Sequence, residues 1–510
     1  MKNIKQYFGY ITIVLPLFSC SDILDIAPYG VVDQEILANK EGVEKLLIGC
    51  YSTLDGQASE DYYVWNNYWA TDDARMGSNA GVNTFDAFLH TPVYSEIATR
   101  WKTLYGFVNR TNSVLEILPK VTDMTDDEKA VVEAQVKFIR GFNYFFLAMI
   151  WKNVPWIDET IDYGKRNFLV SNREIDIYSK IELDFKFASE NLPETWGQVG
   201  RVNKWAAKSL LAKTYMFQKK FDDAKPLLDD IIANGKTSNN LKYDLLPKYA
   251  DNFRTATKHG PEAVFAVQMA VYDGTSSGIN GNPMSFMNGT YGGPANNGYG
   301  WYQPTFDLVD AFQTDPTTGL PKFETYHETP IPTDYGIAST SPFTPYSGTL
   351  DARLDWCVGR RGIPYLDWGN HPGKSWVRNQ NNGGPYSSIK HVAEKARVET
   401  DRQGTNRTNT PYNAVRFADV LLWAAECEVE IGSLQKAEDY INKIRKRAAN
   451  PEGFVRKYAF GTFLNMPAAN YKVGLYNGHF VTNGKSYARK AVRFERRLEL
   501  AMEFHRYFDI

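Results

Sequence analysis

Two stretches of this chain, some two hundred residues apart, carry the same spacing of small and large residues. That spacing limits the possible folds more than any other feature. In the first stretch Leu211-Ala212, Tyr215, Ala224, Leu228 and Ile231 follow a tetratricopeptide-like pattern. In the second, Ala424-Ala425, Glu428, Ala437, Ile441 and Ile444 take the same relative positions. Small residues at these points let the two helices of a hairpin approach closely, and Leu and Ile fill the groove between hairpins. The repeats are not tandem, so a simple solenoid is excluded. Helical hairpins must form a scaffold into which something else is inserted.

The rest of the chain agrees. Val43, Leu46, Leu47, Cys50 and Leu54 mark one helix face, ended by Asp55-Gly56, and Trp101, Leu104, Tyr105, Val108, Asn112 and Leu115 mark a second. A third helix is predicted from about Asp127 to Trp151, with Phe138, Phe142, Phe145 and Met149 on one stripe and a break at Asn153-Val154-Pro155. Helical patterns continue through Ile177–Asn191 and Lys204–Asn234. The insert runs from about 272 to 409, between scaffold segments of about 36–271 and 410–510. The expected fold is mainly α, with tetratricopeptide-like hairpins as scaffold and a large irregular insert carrying short strands.

The insert is rich in Gly, Asn, Pro, Ser and Thr, and also in aromatics, as in Met287-Asn288-Gly289-Thr290-Tyr291-Gly292-Gly293 and Asn297-Gly298-Tyr299-Gly300-Trp301-Tyr302. Such segments form long surface loops. Aromatics make up 14% of the chain, with Tyr 31, Phe 29 and Trp 12. Disordered chains are poor in them, so these loops are expected to be ordered. Ordered loops on a rigid scaffold are where binding residues usually lie.

At the N-terminus, Lys2 and Lys5 precede the apolar run Ile11–Phe18, which is too short to span a bilayer. Residues 1–19 read as a secretory signal peptide. Leu17-Phe18-Ser19-Cys20 resembles a lipobox, making Cys20 the expected lipidation site and the membrane contact a lipid anchor. Residues 20–510 then form the mature chain, expected as a single domain. Cys50, Cys357 and Cys427 remain, and their wide, odd spacing is neither a disulfide framework nor a zinc pattern, so buried free thiols are expected.

Other function classes fail on particular residues. A net charge of −2 gives no electrostatic footprint for nucleic acid. Gly274-Thr275-Ser276-Ser277-Gly278 matches a hydrolase nucleophile elbow, but Ile279-Asn280-Gly281-Asn282-Pro283 cannot begin the helix an elbow requires. Gly369–Ser375 is one residue short of a phosphate loop, and Pro372 removes an N–H donor. The seven histidines lack metal-binding spacing, so no metal or cofactor is expected. A glycosidase needs only two well-separated carboxylates and stays as an alternative.

Landmarks along most of the chain resemble the SusD/RagB family of outer-membrane lipoproteins. They include Cys20-Ser21-Asp22-Ile23-Leu24-Asp25, Glu41 to Leu54, and Trp101 to Glu116. The most specific block runs from Glu133-Ala134 through Arg140 to Tyr144-Phe145 and Trp151-Lys152-Asn153-Val154-Pro155, with Asn153 where the family usually has Gly. Lys204-Trp205-Ala206-Ala207, Asp351-Ala352-Arg353-Leu354-Asp355, Arg416-Phe417-Ala418-Asp419 and Glu495-Arg496-Arg497-Leu498-Glu499-Leu500 follow in order. The chain stops at Phe508-Asp509-Ile510, inside what is normally the family's terminal motif.

The resemblance implies a non-catalytic, externally facing outer-membrane protein that captures glycans. It also implies a SusC-like TonB-dependent transporter as partner; peptide capture is the alternative. Two segments are expected to supply the ligand site: Trp65, Trp69, Asp72, Asp73 and Arg75, and then Tyr291, Tyr299, Trp301 and Tyr302. Aromatic rings cover the C–H faces of sugars, while Asp and Arg bond to the hydroxyls around them. Trp301 is the preferred platform. The charged set Arg493, Glu495, Arg497 and Glu499 is read as scaffold, because spacings of four on a helix usually serve ion pairing.

Overall fold

The structure, a computed structural model, describes residues 34–55, 71–77, 88–89, 91, 93–161, 175–284, 288–293, 298–404 and 407–510. Its frame consists of long helices, numbered here in chain order: α1 Lys40–Tyr51, α2 Ser95–Ile117, α3 Asp126–Trp151, α4 Ile177–Asn191, α5 Lys204–Phe217, α6 Phe221–Asn234, α7 Phe417–Ile431, α8 Leu434–Ala448 and α9 His479–Glu499. Each of α1 to α6 packs on the next, α7 on α8, and α8 on α9. The decisive contact joins α6 to α7. It seats the α5–α6 hairpin directly on the α7–α8 hairpin, the two stretches whose matching spacing is visible in the sequence. Ala212, Ala224, Leu228, Ile231, Ala425, Ala437, Ile441 and Ile444 are all buried there.

Local chemistry starts these helices where the pattern predicts. Thr125 accepts from the Glu128 N–H at 3.2 Å and Glu128 accepts from the Thr125 N–H at 2.9 Å, a reciprocal cap on α3. Asn39 and Asn203 cap α1 and α5 by accepting from Gly42 N–H and Ala206 N–H, each at 2.9 Å. Arg140, on α3, is buried and grips Asp184 of α4 through two bonds of 2.8 Å. Beyond α3 the chain turns at Lys152, which takes a φ of 61°, one residue before Asn153. The following segment is held by Tyr105, whose hydroxyl donates to Pro155 O at 2.7 Å, and by Asn112, which donates to Ile157 O at 3.0 Å. Those four residues account physically for the most family-like block of the sequence.

The ends of the loop-rich stretch meet. Strand Ala263–Val267 pairs antiparallel with Tyr412–Arg416, and Phe265 packs edge-on against Phe138 and Phe142 of α3, at 4.9 and 5.2 Å. Among the described residues between these strands lie only short helices and two-residue strands, such as Val358–Gly359 paired with Ser387–Ser388. Cys50, Cys357 and Cys427 are free and buried. No helix among the described residues is long and apolar enough to cross a membrane.

A buried charged junction locks the inserted stretch to the scaffold. Arg416 bonds Glu262 at 2.7 Å and both Glu499 and Glu503 at 2.9 Å. Arg353 holds Asp351 at 2.8 Å, Glu495 at 2.7 Å and Glu499 at 3.1 Å. Arg445 reaches Glu495 at 2.8 Å, and Lys390 reaches Glu503 at 2.6 Å. The acids spaced by four on α9 therefore pair with other elements and not along their own helix. They act as scaffold, across a wider span than helix-surface pairing provides.

Candidate functional site

The two segments expected to carry the ligand site are hydrogen-bonded to each other. Ala74–Arg75 pairs antiparallel with Gln303–Pro304, with Arg75 opposite Gln303. The join is tightened by Thr305, whose N–H donates to Asp73 O at 3.0 Å and whose hydroxyl bonds Asp72 O. Thr71 Oγ1 accepts from the N–H groups of Asp73 and Ala74 at 3.0 and 3.2 Å, fixing the approach to the strand. Gly77 is required by close approach: an added Cβ would lie 2.2 Å from Gly300 O and 1.7 Å from the Gln303 amide oxygen. That amide is bound on its other side, where Gln303 Nε2 donates to Tyr386 O at 2.9 Å.

A third segment completes the face. Tyr291 N–H donates to Trp376 O at 3.0 Å, and Gly298 N–H donates to Thr290 O at 2.9 Å, closing the aromatic loop against 373–378. Arg378 then lies over two rings, with its guanidinium carbon 4.9 Å from the Tyr291 centroid and 5.9 Å from that of Tyr299. Tyr299 and Trp301 are neighbours at 5.7 Å and 34°. Tyr291 is 44% exposed, and Tyr299 and Trp301 are half-buried. The crevice between Thr290, Gln303 and Trp376 is too narrow to admit a water. Further along the same wall, Phe306 and Tyr335 are exposed with rings 6.0 Å apart, and the Tyr335 hydroxyl bonds Asn381 Oδ1 at 2.9 Å.

The expected residues divide. Tyr291, Tyr299 and Trp301 share the face, and Arg75 is exposed beside it. Asp73 and Tyr302 correct the expectation, because both point inward. Tyr302 is 3% exposed and its ring packs on Phe504 at 4.7 Å, where burial drives its phenol pKa well up. Asp73 is 1% exposed and accepts from Arg497 Nε at 2.6 Å. Its burial pushes the carboxyl up to about 6, against the pull of Arg497. Asp72 is held by Arg506, with Nε to Oδ1 at 2.7 Å. Burial works to raise the Asp72 pKa, and Arg506 and Arg497 overcome that and hold it below the usual range. Both acids therefore tie the segment to the C-terminal region. Trp65, Trp69 and Cys20 lie outside the described residues.

Sequence reasoning missed Arg378, Trp376, Phe306 and Tyr335. A signal existed: Trp376-Val377-Arg378-Asn379-Gln380-Asn381-Asn382-Gly383-Gly384 has the same Asn, Gly and aromatic composition as 287–302. Ser276–Gly278 is a single 3-10 turn, and no helix runs on from it. Among the described residues no three His, Cys, Asp or Glu side chains lie close enough to hold a metal ion.

Comparison with known proteins decides the family. The profile of the SusD family matches residues 261–510, and that of a family described as starch-binding and associating with the outer membrane matches 22–216. The chain belongs to the SusD/RagB family. Outer-membrane association follows at the level of that description. Among its SusD-like relatives, one from Formosa agariphila is 24% identical, covering 100% of this chain and 89% of the relative. Another, from Bacteroides ovatus, is 23% identical over 86% of this chain and 75% of the relative. A laminarin-binding SusD-like protein of known structure superposes with a TM-score of 0.62 at 21% identity, over 92% of this chain and 90% of that one. Surface glycan-binding protein A from Bacteroides thetaiotaomicron, solved with laminarihexaose, also gives 0.62, at 19% identity over 92% and 89%. The mainly helical SusD-like fold expected from the sequence is the one observed.

Proposed function

We propose that this SusD/RagB protein captures oligo- or polysaccharide at the cell surface without altering it, and delivers it to a SusC-like TonB-dependent transporter. The ligand rests on the face made by Tyr291, Tyr299 and Trp301. The observation that carries this reading is the arrangement of those rings, beside Arg378, on loops bonded to a rigid helical frame. Such a surface stacks on sugar C–H faces and leaves a polar rim for hydroxyls. Structural relatives crystallised with, or named for, laminarin oligosaccharides support the same use.

Aromatic contacts contribute about 0.5–1.5 kcal/mol each beyond area burial. A few of them, together with hydrogen bonds to the sugar hydroxyls, would give millimolar to micromolar binding, about −4 to −8 kcal/mol, which suits a protein that must release its cargo. Acylation of Cys20 would tether the chain to the outer membrane, facing outward, with the transporter beneath it.

The test is calorimetric titration with a panel of polysaccharides, wild type against Trp301→Ala. Affinity should fall in the variant while circular dichroism stays native, and unchanged affinity would remove Trp301 from the site. Chromatography after long incubation should find the glycan intact. Metabolic labelling with a radioactive fatty acid should mark the wild type and not Cys20→Ser.

A further inference from the structure

A second aromatic patch adjoins the first. Phe306 and Tyr335 are 42% and 45% exposed, with their rings 6.0 Å apart at 71°, and Tyr386 is buried behind Phe306 at 5.9 Å. Single exposed rings are ordinary on protein surfaces. These two are held in place. Phe306 opens the short helix Phe306–Ala311, capped by Thr305 Oγ1, which accepts from Leu308 N–H at 3.1 Å. The same Thr305 ties down the 71–77 segment through Asp73 O. Tyr335 is fastened on three sides. Its N–H donates to Thr333 Oγ1 at 3.3 Å, its hydroxyl to Asn381 Oδ1 at 2.9 Å, and the next N–H, of Gly336, to Gln380 Oε1 at 2.9 Å.

We infer that Phe306 and Tyr335 form a second subsite for the same glycan, so that the ligand is an oligosaccharide chain long enough to lie across both patches. The inference rests on the glycan-binding reading above and adds to it a requirement for length. Two stretches of chain join the patches. Trp301 leads to Phe306 through the strand Gln303–Pro304, and Arg378, over Tyr291 and Tyr299, leads to Asn381. The second stretch spans at most about 10 Å. The two stretches are pressed together: Gln303 Nε2 donates to Tyr386 O at 2.9 Å, and a Cβ on Gly383 would lie 1.9 Å from the Gln303 amide oxygen. Tyr335, already fastened, needs no ordering before a sugar stacks on it. Asn381 gives its amide oxygen to Tyr335 and keeps its NH2 group for a sugar hydroxyl. A short saccharide gains from one patch alone. A longer chain gains from both, because the second contact is intramolecular once the first is made.

The experiment is calorimetric titration of the mature chain with laminari-, cello-, xylo- and galacturono-oligosaccharides of two, four and six units. In whichever series binds, wild-type affinity should rise with length, by about two- to tenfold once the second patch is reached, the worth of one aromatic contact. Tyr335→Ala should remove that gain at six units, with circular dichroism native because the ring lies on an exposed turn. Phe306→Ala should act in the same direction. Trp301→Ala should lower binding at every length, which separates the two patches. Affinity independent of length, or a length gain that survives both Tyr335→Ala and Phe306→Ala, overturns the inference while leaving the first face a glycan site. If no series binds at any length, the site reading itself falls.

Discussion

The charged junction and the aromatic face make opposite use of polar and apolar side chains. At the junction, Arg353, Arg416 and Arg445 are the largest fully buried side chains among the described residues, and their partners Glu262, Glu495 and Glu499 are 0% exposed. On the face, Tyr291, Phe306 and Tyr335 lie 42–45% exposed. Buried charge costs desolvation and is tolerated only when every group is partnered, which makes the junction directional and unforgiving. Exposed rings cost little and can be covered and uncovered. The lesson is that the rigid part is built from charge, and the part that meets the outside is built from rings.

Removing one cation from the junction should break this contrast most severely. Arg416→Met leaves Glu262, Glu499 and Glu503 each short of a partner and should cost about 3–5 kcal/mol, read as a shift in the denaturant midpoint. A loss under about 1 kcal/mol would mean the remaining cations, Arg353, Arg447 and Lys390, suffice.

Acid should come next, through two histidines buried in the inserted stretch. His371 is held neutral at about 3, by burial, and His391 at about 4, by burial and then by Lys390. Each has a folded pKa below its unfolded value of 6.5, so the unfolded chain binds more protons between those limits. Stability is full above 6.5 and falls as pH drops toward 4, by up to about 1.4 kcal/mol per pH unit for each group. Asp73, pushed up to about 6 from 3.8, works in the other direction across part of that window. Urea titrations at several pH values should show the net slope, and His391→Gln should flatten it.

A smaller effect tests how the face is held. Gly77→Ala drives a methyl into Gly300 O and Gln303 and should cost about 1–3 kcal/mol, with weakened glycan binding from a displaced strand pair. Tyr291→Ala should be the mildest. Stability should stay within about 0.5 kcal/mol, while affinity drops about two- to tenfold. A Tyr291→Ala protein that binds normally would confine the site to Tyr299 and Trp301.

Much of the scaffold was legible because its signals are local. The Phe138, Phe142 and Phe145 stripe and the small-residue spacing of the two hairpins each act within a few turns of helix. The site was legible only in part, because composition marks a loop without saying which way its side chains point. Trp301 and Tyr302 read alike, yet the first stays on the face while the second is drawn onto Phe504. Asp72 and Asp73 look like ligand-binding acids until Arg497 and Arg506 are seen to claim them.

By itself, the sequence determined that helical hairpins hold an aromatic, glycine-rich insert, since periodicity and turn chemistry act over short distances. Only the tertiary structure decided that the hairpin at 204–234 sits on the one at 417–448, and that Arg378 belongs with Tyr291 and Tyr299. Which charges are buried was settled there too. Those outcomes depend on pairings between residues tens to hundreds of positions apart, where desolvation and partner geometry govern, and no local pattern encodes them.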